Sequence, residues 1–312
     1  MSTLERSEAD LRACEALARS HYENFAIGSR LLPRSKRRWL AALYAVVRVA
    51  DDLADEGKAG APAGPISAAE RDVRLAALDA WESGLESAAA GGDAPHFAQR
   101  AAGEAVRTLG LPLAPFRSLF RAFRRDLVQT RYESFEDLLC YCRDSADPVG
   151  DLVLRLFGQH DLRLASASSA ICTGLQLVNH WQDVASDARR GRIYLPLEDM
   201  TRFGVTQESL LAGEDSPALR SLLGFETARA RALLEAGAEL VAQVRGRLRL
   251  EVALFRRGGL AACDCLARAG WAVQAAPPRL GRRDRLRVLL GGLLDAAVQR
   301  RTLRAVEALR GA

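Results

Sequence analysis

The chain has 312 residues, enough to bury a substantial core as one large domain or two moderate ones. Apolar residues make up 49% and charged residues 27%, which is ordinary for a soluble globular protein. The formal net charge of +5 is modest and basic residues are interleaved with acids, so we expect no nucleic-acid partner.

Membrane-spanning and secreted classes are not favoured either. No apolar run approaches the roughly 18 residues that span a bilayer, so any membrane contact is expected to be peripheral. The start of the chain carries acids and lacks the apolar segment of a signal peptide. We therefore expect the six cysteines to be reduced, packed thiols.

The predicted elements are helices almost throughout. Ala, Leu, Arg and Glu are plentiful and favour helix, whereas alternating strand patterns are almost absent. The first two helices are predicted over residues 4–20 and 35–55, and residues 57–65 form the clearest loop. Ser67, with Glu70 three residues later, predicts a capping box for the next helix.

The middle of the chain continues this pattern. Pro112 is predicted to begin a helix that runs to about residue 130. Ser134 and Asp137 predict the cap of a helix that carries Tyr141 and is disturbed at Pro148. A long apolar helix is predicted over residues 162–185, followed by an arginine-rich loop over 187–196 and at least three more helices. With no long linker, we predict one all-α domain over residues 1–312, with its core at about 15–290.

Two acidic clusters on these helices carry the main chemical signal. Asp51 with Asp55, and Asp183 with Asp187, are spaced one helical turn apart and share a helix face. Like charges repel, so a buried pair of this kind needs a cation. Carboxylate oxygens suit Mg²⁺, which takes further ligands from water and substrate phosphate. The pattern predicts a diphosphate held by metal between two helices.

Other polar residues extend each acidic cluster into a stripe. At about 100° per residue, Tyr44 and Arg48 fall on the stripe of the first cluster. Gln176, Asn179 and His180 fall on that of the second. A polar stripe on an otherwise apolar helix either faces solvent or binds something. Two such stripes in one chain favour the binding interpretation.

Three segments resemble the squalene/phytoene synthase family of head-to-head prenyl transferases. They are YAVVRVADDLAD at residues 44–55, YCRDSA at 141–146, and QLVNHWQDV at 176–184 with RIYLP at 192–196. The resemblance implies an all-α isoprenoid synthase fold, with helices around a central apolar cavity and the two aspartate-bearing helices facing each other at its mouth.

The resemblance also implies roles for individual residues. Two or three Mg²⁺ ions would be held by Asp51, Asp55, Asn179, Asp183 and Asp187. The substrate diphosphate would contact Tyr44, Arg48, Gln176, Asn179 and Arg192. The catalytic set would be Asp51, Asp55, Tyr141, Asp183 and Asp187.

Finer signals are similar to one branch of the family, the hydroxysqualene synthases of bacterial hopanoid pathways. These signals are HYENF at residues 21–25, NHWQD at 179–183 and DPVG at 147–150, where Asp147 stands in place of an expected Asn. The implied reaction ionises presqualene diphosphate on Mg²⁺, rearranges the cation and captures water, with no NADPH. Asp147, His180 and His21 are the candidates for positioning that water.

Two alternatives stay open. One is a presqualene diphosphate, squalene or phytoene-type synthase that condenses two prenyl diphosphates, and the other is a non-catalytic assembly or scaffold relative. The expected partners are presqualene diphosphate or a related prenyl diphosphate, a peripheral membrane surface and neighbouring pathway enzymes. We expect a cytoplasmic protein loosely associated with the inner membrane, because substrate and product are both very hydrophobic.

Overall fold

A computed structural model describes residues 3–20, 32–55 and 66–310, with side chains described as far as residue 298. Every regular element in these ranges is a helix, which confirms the predicted all-α class. In chain order the helices are α1 (Thr3–Ser20), α2 (Arg34–Asp55), α3 (Ala68–Ala89), α4 (Phe97–Leu109), α5 (Ala114–Asp126), α6 (Phe135–Ser145), α7 (Asp147–Leu156), α8 (Leu162–Arg189), α9 (Leu197–Phe203), α10 (Gln207–Leu211), α11 (Pro217–Ala236), α12 (Ala238–Gln243), α13 (Gly246–Arg268) and α14 (Arg282–Arg310). The predicted loop at 57–65 and most of the segment around His21 lie outside the described residues.

The helices divide into two compact units. The first comprises residues 1–129 and 148–159, and the second comprises 130–147 and 160–312. The single domain predicted for residues 1–312 stays a prediction. Within the described helices, none combines the length and the apolar character needed to cross a bilayer.

Helix starts follow the local capping signals. The Ser67 side chain accepts a hydrogen bond from the Glu70 backbone N–H at 3.2 Å, and Ser134 accepts one from Asp137 at 3.2 Å. Each satisfies an N–H group that the helix itself leaves without an acceptor. Both serine N-caps are confirmed, but the full capping box predicted at Ser67 is not, because the Glu70 side chain binds Arg74 instead of the Ser67 backbone.

Three predicted boundaries were wrong. α5 begins at Ala114, with Pro115 rather than Pro112 in its first turn, and it ends at Asp126. α8 runs to Arg189 instead of 185, because no helix breaker precedes Gly191, whose φ of 82° favours glycine. The loop after α8 therefore starts at residue 190, and Asp187 lies within the helix.

Small residues allow the helices of the first unit to pack closely. The buried face of α2 is largely alanine, and α4 presents a row of buried alanines. Gly103 of α4 lies against Ala88 of α3, where an added Cβ would sit 2.5 Å from the Ala88 Cβ. Larger side chains at this crossing would force α3 and α4 apart.

The second unit is built around α8. α11 packs along it, with Leu234 and the Ala230 carbonyl against Gly174, and Trp181 is fully buried. α13 contacts both α8 and α11, and α14 packs on α13. The polar face of α8 is therefore a candidate for a functional site.

Candidate functional site

The acidic end of α2 is held in place by α3. Trp81 donates its ring N–H to the Val46 carbonyl at 3.0 Å, and Arg74 Nη1 donates to the Ala54 carbonyl at 2.7 Å. The second bond satisfies one of the carbonyls that the last turn of α2 leaves without a donor. Asp51 and Asp55 are thereby presented from a fixed helix end.

Arg48 lies within the acidic cluster of α2. Its Nη1 is 3.3 Å from Asp51 Oδ2 and its Nη2 is 2.6 Å from Asp52 Oδ1. The guanidinium is therefore held by carboxylates, and its Nε is a buried donor without an acceptor among the described residues.

The electrostatics of this cluster favour a bound cation. Burial, followed by the charge of Asp55, raises the pKa of Asp51 to about 7, although Arg48 acts in the opposite direction. Asp126 of α5 adds a further negative charge. A hard cation with oxygen ligands would offset this repulsion, so the residues at the end of α2 fit Mg²⁺.

The polar face of α8 carries the second cluster. Asn179 and Asp187 are half-buried and Asp183 is exposed. Among the described residues, no three His, Cys, Asp or Glu side chains form a metal-binding group. The structure thus describes each acidic row separately, on its own helix. That the two rows bind metal ions together remains a prediction.

His180 is buried beneath this face and takes part in packing. Its ring stacks on Tyr194 with centroids 3.8 Å apart, and its Nε2 lies 3.2 Å from Gln176 Nε2. Burial, with a smaller effect from Arg192, lowers the pKa of His180 to about 3, so the imidazole is neutral at physiological pH. A small cavity beside the ring is lined by His180, Asp187, Arg192, Tyr194 and neighbouring apolar residues.

Tyr141 belongs to an aromatic cluster next to His180. Its buried ring lies 5.4 Å from Tyr132 and 5.7 Å from Tyr194, measured between centroids. Neither Tyr132 nor Tyr194 was assigned a role from the sequence. The RIYLP segment contained a signal for Tyr194, but nothing marked Tyr132.

The segment 190–196, here called the arginine loop, is fixed by backbone hydrogen bonds. The Arg192 N–H donates to the Asp187 carbonyl at 2.9 Å, and the Ile193 N–H donates to Thr130 at 2.9 Å. Arg131 Nη1 donates to the Gly191 carbonyl at 2.6 Å. These bonds bring Arg192 and Asp187 to the same cavity.

Asp147 lies at the start of α7 and contacts α8. Its Oδ1 accepts a hydrogen bond from Thr173 Oγ1 at 2.8 Å, and Ser169 also hydrogen-bonds the carboxyl group. Burial raises the pKa of Asp147, while the two hydroxyl groups act in the opposite direction. Asp147 is thus a half-buried polar group between helices. His21, the third candidate for positioning water, lies outside the described residues.

The all-α architecture and the solved structures similar to it define an isoprenoid synthase fold. The family model for squalene/phytoene synthase matches residues 18–308, and the chain belongs to this family. Its members are enzymes that process prenyl diphosphates and use a divalent metal to ionise the diphosphate.

Individual relatives carry the names of three different activities. A phytoene synthase of Arthrospira platensis is 33% identical over 77% of this chain and 78% of its own length. A hydroxysqualene synthase of Sinorhizobium fredii is 34% identical over 75% of each chain. The crystal structure of squalene synthase HpnC from Alicyclobacillus acidocaldarius is 40% identical, with a TM-score of 0.75 over 86% of this chain and 97% of that chain.

Proposed function

We propose that this chain is a hydroxysqualene synthase, which converts presqualene diphosphate and water into hydroxysqualene and diphosphate. The carbon–oxygen bond to the diphosphate breaks and its electron pair leaves with the diphosphate. The cyclopropylcarbinyl cation then rearranges, and the oxygen of water forms the new bond. The water proton passes to the released diphosphate, so atoms and charge balance without a reductant, and no NADPH is needed.

The proposed leaving-group site combines both acidic rows. Asp51, Asp55, Asn179, Asp183 and Asp187 would hold two or three Mg²⁺ ions. When bound, Mg²⁺ supplies the positive charge that stabilises the departing diphosphate. We assign these five residues on family membership and on the chemistry of their oxygen donors.

The remaining diphosphate contacts are proposed from side chains on the same two helices and the arginine loop. Arg48 has the buried Nε described above, and Arg192 lies on a fixed loop beside Asp187. Tyr44 and Gln176 lie on the same stripes, one turn before Arg48 and His180. Tyr141 is proposed as a catalytic residue whose ring is held by its aromatic neighbours and faces the developing cation.

The observation that carries the choice of water capture is the polar environment of Asp147. A carboxyl group that two hydroxyl groups already orient can accept a hydrogen bond from water. The hydroxyl of Ser145, two residues earlier, is buried without a partner among the described residues, and such a group suits a bound water. His180 is less suited, since its ring is stacked and its Nε2 lies against Gln176.

Substitution of Asp147 tests this assignment. Asp147→Leu should lower the fraction of hydroxysqualene at least about tenfold and raise that of alkenes formed by proton loss, because the carboxylate that orients the water is lost. Asp147→Asn should retain hydroxysqualene, since its amide oxygen also accepts a hydrogen bond. Products are measured by mass spectrometry after incubation with presqualene diphosphate and Mg²⁺, and an unchanged product ratio in Asp147→Leu contradicts the assignment.

A second candidate function is condensation of two prenyl diphosphates, which the 33% identity to a phytoene synthase favours. Incubation with farnesyl or geranylgeranyl diphosphate alone separates the two functions. Consumption of either substrate without added presqualene diphosphate supports condensation and contradicts our proposal. NADPH is added in parallel, and a product that appears only with NADPH contradicts the reductant-free reaction.

The scaffold alternative is tested with the same material. Loss of all turnover in Asp51→Asn and Asp183→Asn, with folding retained, supports an enzyme. If both variants complemented a deletion strain as well as the parent chain, the scaffold role would replace the catalytic one.

A further inference from the structure

Exposed apolar side chains are concentrated on α14. Six of the twelve large hydrophobic residues exposed in the described structure lie on this helix, and the other six are scattered over separate elements. The six on α14 are between 43% and 62% exposed. They are Leu286, Leu289, Leu290, Leu293, Leu294 and Val298. Single exposed apolar residues are normal, but a contiguous group marks an interaction surface.

The five leucines are centred opposite the face that packs on the protein, whereas Val298 lies nearer that face. Arg257 of α13 binds Asp295 with two hydrogen bonds of 2.6 and 2.7 Å, and Arg268 donates to Asp284 at 2.9 Å. Gly292 lies against Leu254. At about 100° per residue, this inner face is centred on the side of the helix opposite the leucines. The leucine row therefore covers an outer face of α14 that is not needed to attach the helix.

Four exposed arginines stand at the beginning of the same helix. They are Arg282, Arg283, Arg285 and Arg287. None of the four forms an ion pair with a residue that the structure describes. Three of them lie in the first turn, where cations oppose the helix dipole, so these three charges do not serve helix stability. They create a site of positive potential beside the leucine row.

We propose that the outer face of α14 is the surface through which this protein docks on an anionic lipid bilayer. The leucines would enter the boundary between headgroups and acyl chains, while the arginines would extend their apolar stems and bind lipid phosphates. This location deepens the peripheral membrane contact expected from the sequence, and it does not depend on which prenyl substrate is used.

The charges favour lipid over a second copy of the chain. The only acids of α14 among the side chains described are Asp284 and Asp295, and both are bound by arginines on the inner face. A second copy docked through the outer face would thus bring leucines and arginines but no acid to pair with the arginines. An anionic bilayer supplies both the apolar and the negative component.

Vesicle binding of the full chain tests the proposal. Co-sedimentation is measured with phosphatidylcholine vesicles and with vesicles of equal parts phosphatidylcholine and phosphatidylglycerol, at low salt. The first variant, Leu286→Gln/Leu290→Gln/Leu293→Gln, removes apolar groups from α14. The second, Arg282→Gln/Arg283→Gln/Arg287→Gln, removes its positive charge. The control, Val73→Gln/Leu162→Gln/Leu211→Gln, changes exposed apolar residues on other helices.

The parent chain and the control should bind the mixed vesicles, and both α14 variants should bind at least about tenfold more weakly. Unchanged circular dichroism and light scattering show that folding and oligomeric state are retained. Undiminished binding of the leucine variant overturns the proposal, as does failure of the parent chain to bind. A dimer that the leucine variant converts to monomer overturns it in favour of a second copy. Turnover in detergent is measured separately, so a different product would affect the proposed function and leave this test intact.

Discussion

At the scale of single residues, Glu226 stands out as a buried acid outside the proposed site. It shares Arg229 with Asp199, whose Oδ2 lies 2.6 Å from Arg229 Nη1, and its own Oε1 lies 3.1 Å from the same nitrogen. The guanidinium also stacks over Phe135 and Phe225. Burial raises the pKa of Glu226 to about 8, and the neighbouring Asp199 acts in the same direction.

This raised pKa predicts how stability depends on pH. The folded state holds the Glu226 proton more tightly than the unfolded state. The stabilising contribution of this proton to the free energy of unfolding is therefore complete below pH 4.5 and is lost as pH rises to about 8. The slope is at most roughly 1.4 kcal/mol per pH unit for one proton. Glu226→Gln, which mimics the protonated form, should flatten the free energy of unfolding across this range.

Denaturant unfolding at a series of pH values checks the prediction. Glu214→Gln, in an exposed loop, is the control and should follow the parent chain. An equal slope for the parent chain and Glu226→Gln would show that Glu226 keeps an ordinary charge in the folded protein.

Some residue-scale features could be predicted from the sequence and others could not. The acidic rows were visible because a helix places residues i and i+4 on one face, which is a local property. The stacking of Tyr194 on His180 was not, because it depends on the arginine loop folding back against Thr130. The contact of Arg48 with Asp52 is local, but the burial that raises the pKa of Asp51 comes from packing.

At the scale of helices, the crossing of α3 and α4 leads to a stability prediction. An alanine at Gly103 would place its Cβ 2.5 Å from Ala88 Cβ and 2.6 Å from the Ala88 carbonyl carbon. Since the second atom is backbone, it cannot move aside, and Gly103→Ala should lower the free energy of unfolding by about 1–3 kcal/mol.

Gly224→Ala in α11 is the matched control. Its added Cβ would meet only Trp271 side-chain atoms at 3.5 Å or more, which is ordinary contact. Alanine favours helix over glycine by about 1 kcal/mol, so this variant should be neutral or slightly more stable. Thermal and urea unfolding check both variants, and equal effects would exclude close packing as the cause.

Helix boundaries show where sequence signals stop being sufficient. Ser67 and Ser134 marked helix starts correctly because an N-cap acts on its own next three residues. Pro112 was the wrong start for α5, because the helix begins where Pro115 and Phe116 are buried, which is a property of packing. The break between α11 and α12 at Gly237 could not be predicted either, because it depends on a tertiary contact. Gly237 lies so close to Ile171 that an added Cβ would be 2.2 Å from Ile171 Cγ1.

For the whole molecule, the proposed metal site predicts that the two acidic rows act as one. Mg²⁺ with inorganic diphosphate should stabilise the parent chain by roughly 2.7 kcal/mol at a hundredfold excess over Kd. Asp51→Asn and Asp183→Asn should each remove most of this effect, and the double variant should lose little more. Thermal unfolding with and without the ligands, and after addition of a chelator, measures it.

Asp72→Asn, on the exposed face of α3, is the control and should keep the full stabilisation. Additive losses in the double variant would instead indicate two independent metal sites. Retained stabilisation in both single variants would contradict the metal assignment itself.

The hydrogen bonds that hold the arginine loop have a consequence for the catalytic cycle. Ile193 of the loop donates its N–H group to the Thr130 carbonyl, and Leu197, the residue directly after the loop, donates to Tyr132. Arg131 binds the Gly191 carbonyl. Displacing the loop would break all three together and expose the aromatic rings behind it to water. We therefore expect the loop to stay in place during turnover rather than to open as a lid, because opening would cost all three bonds at once.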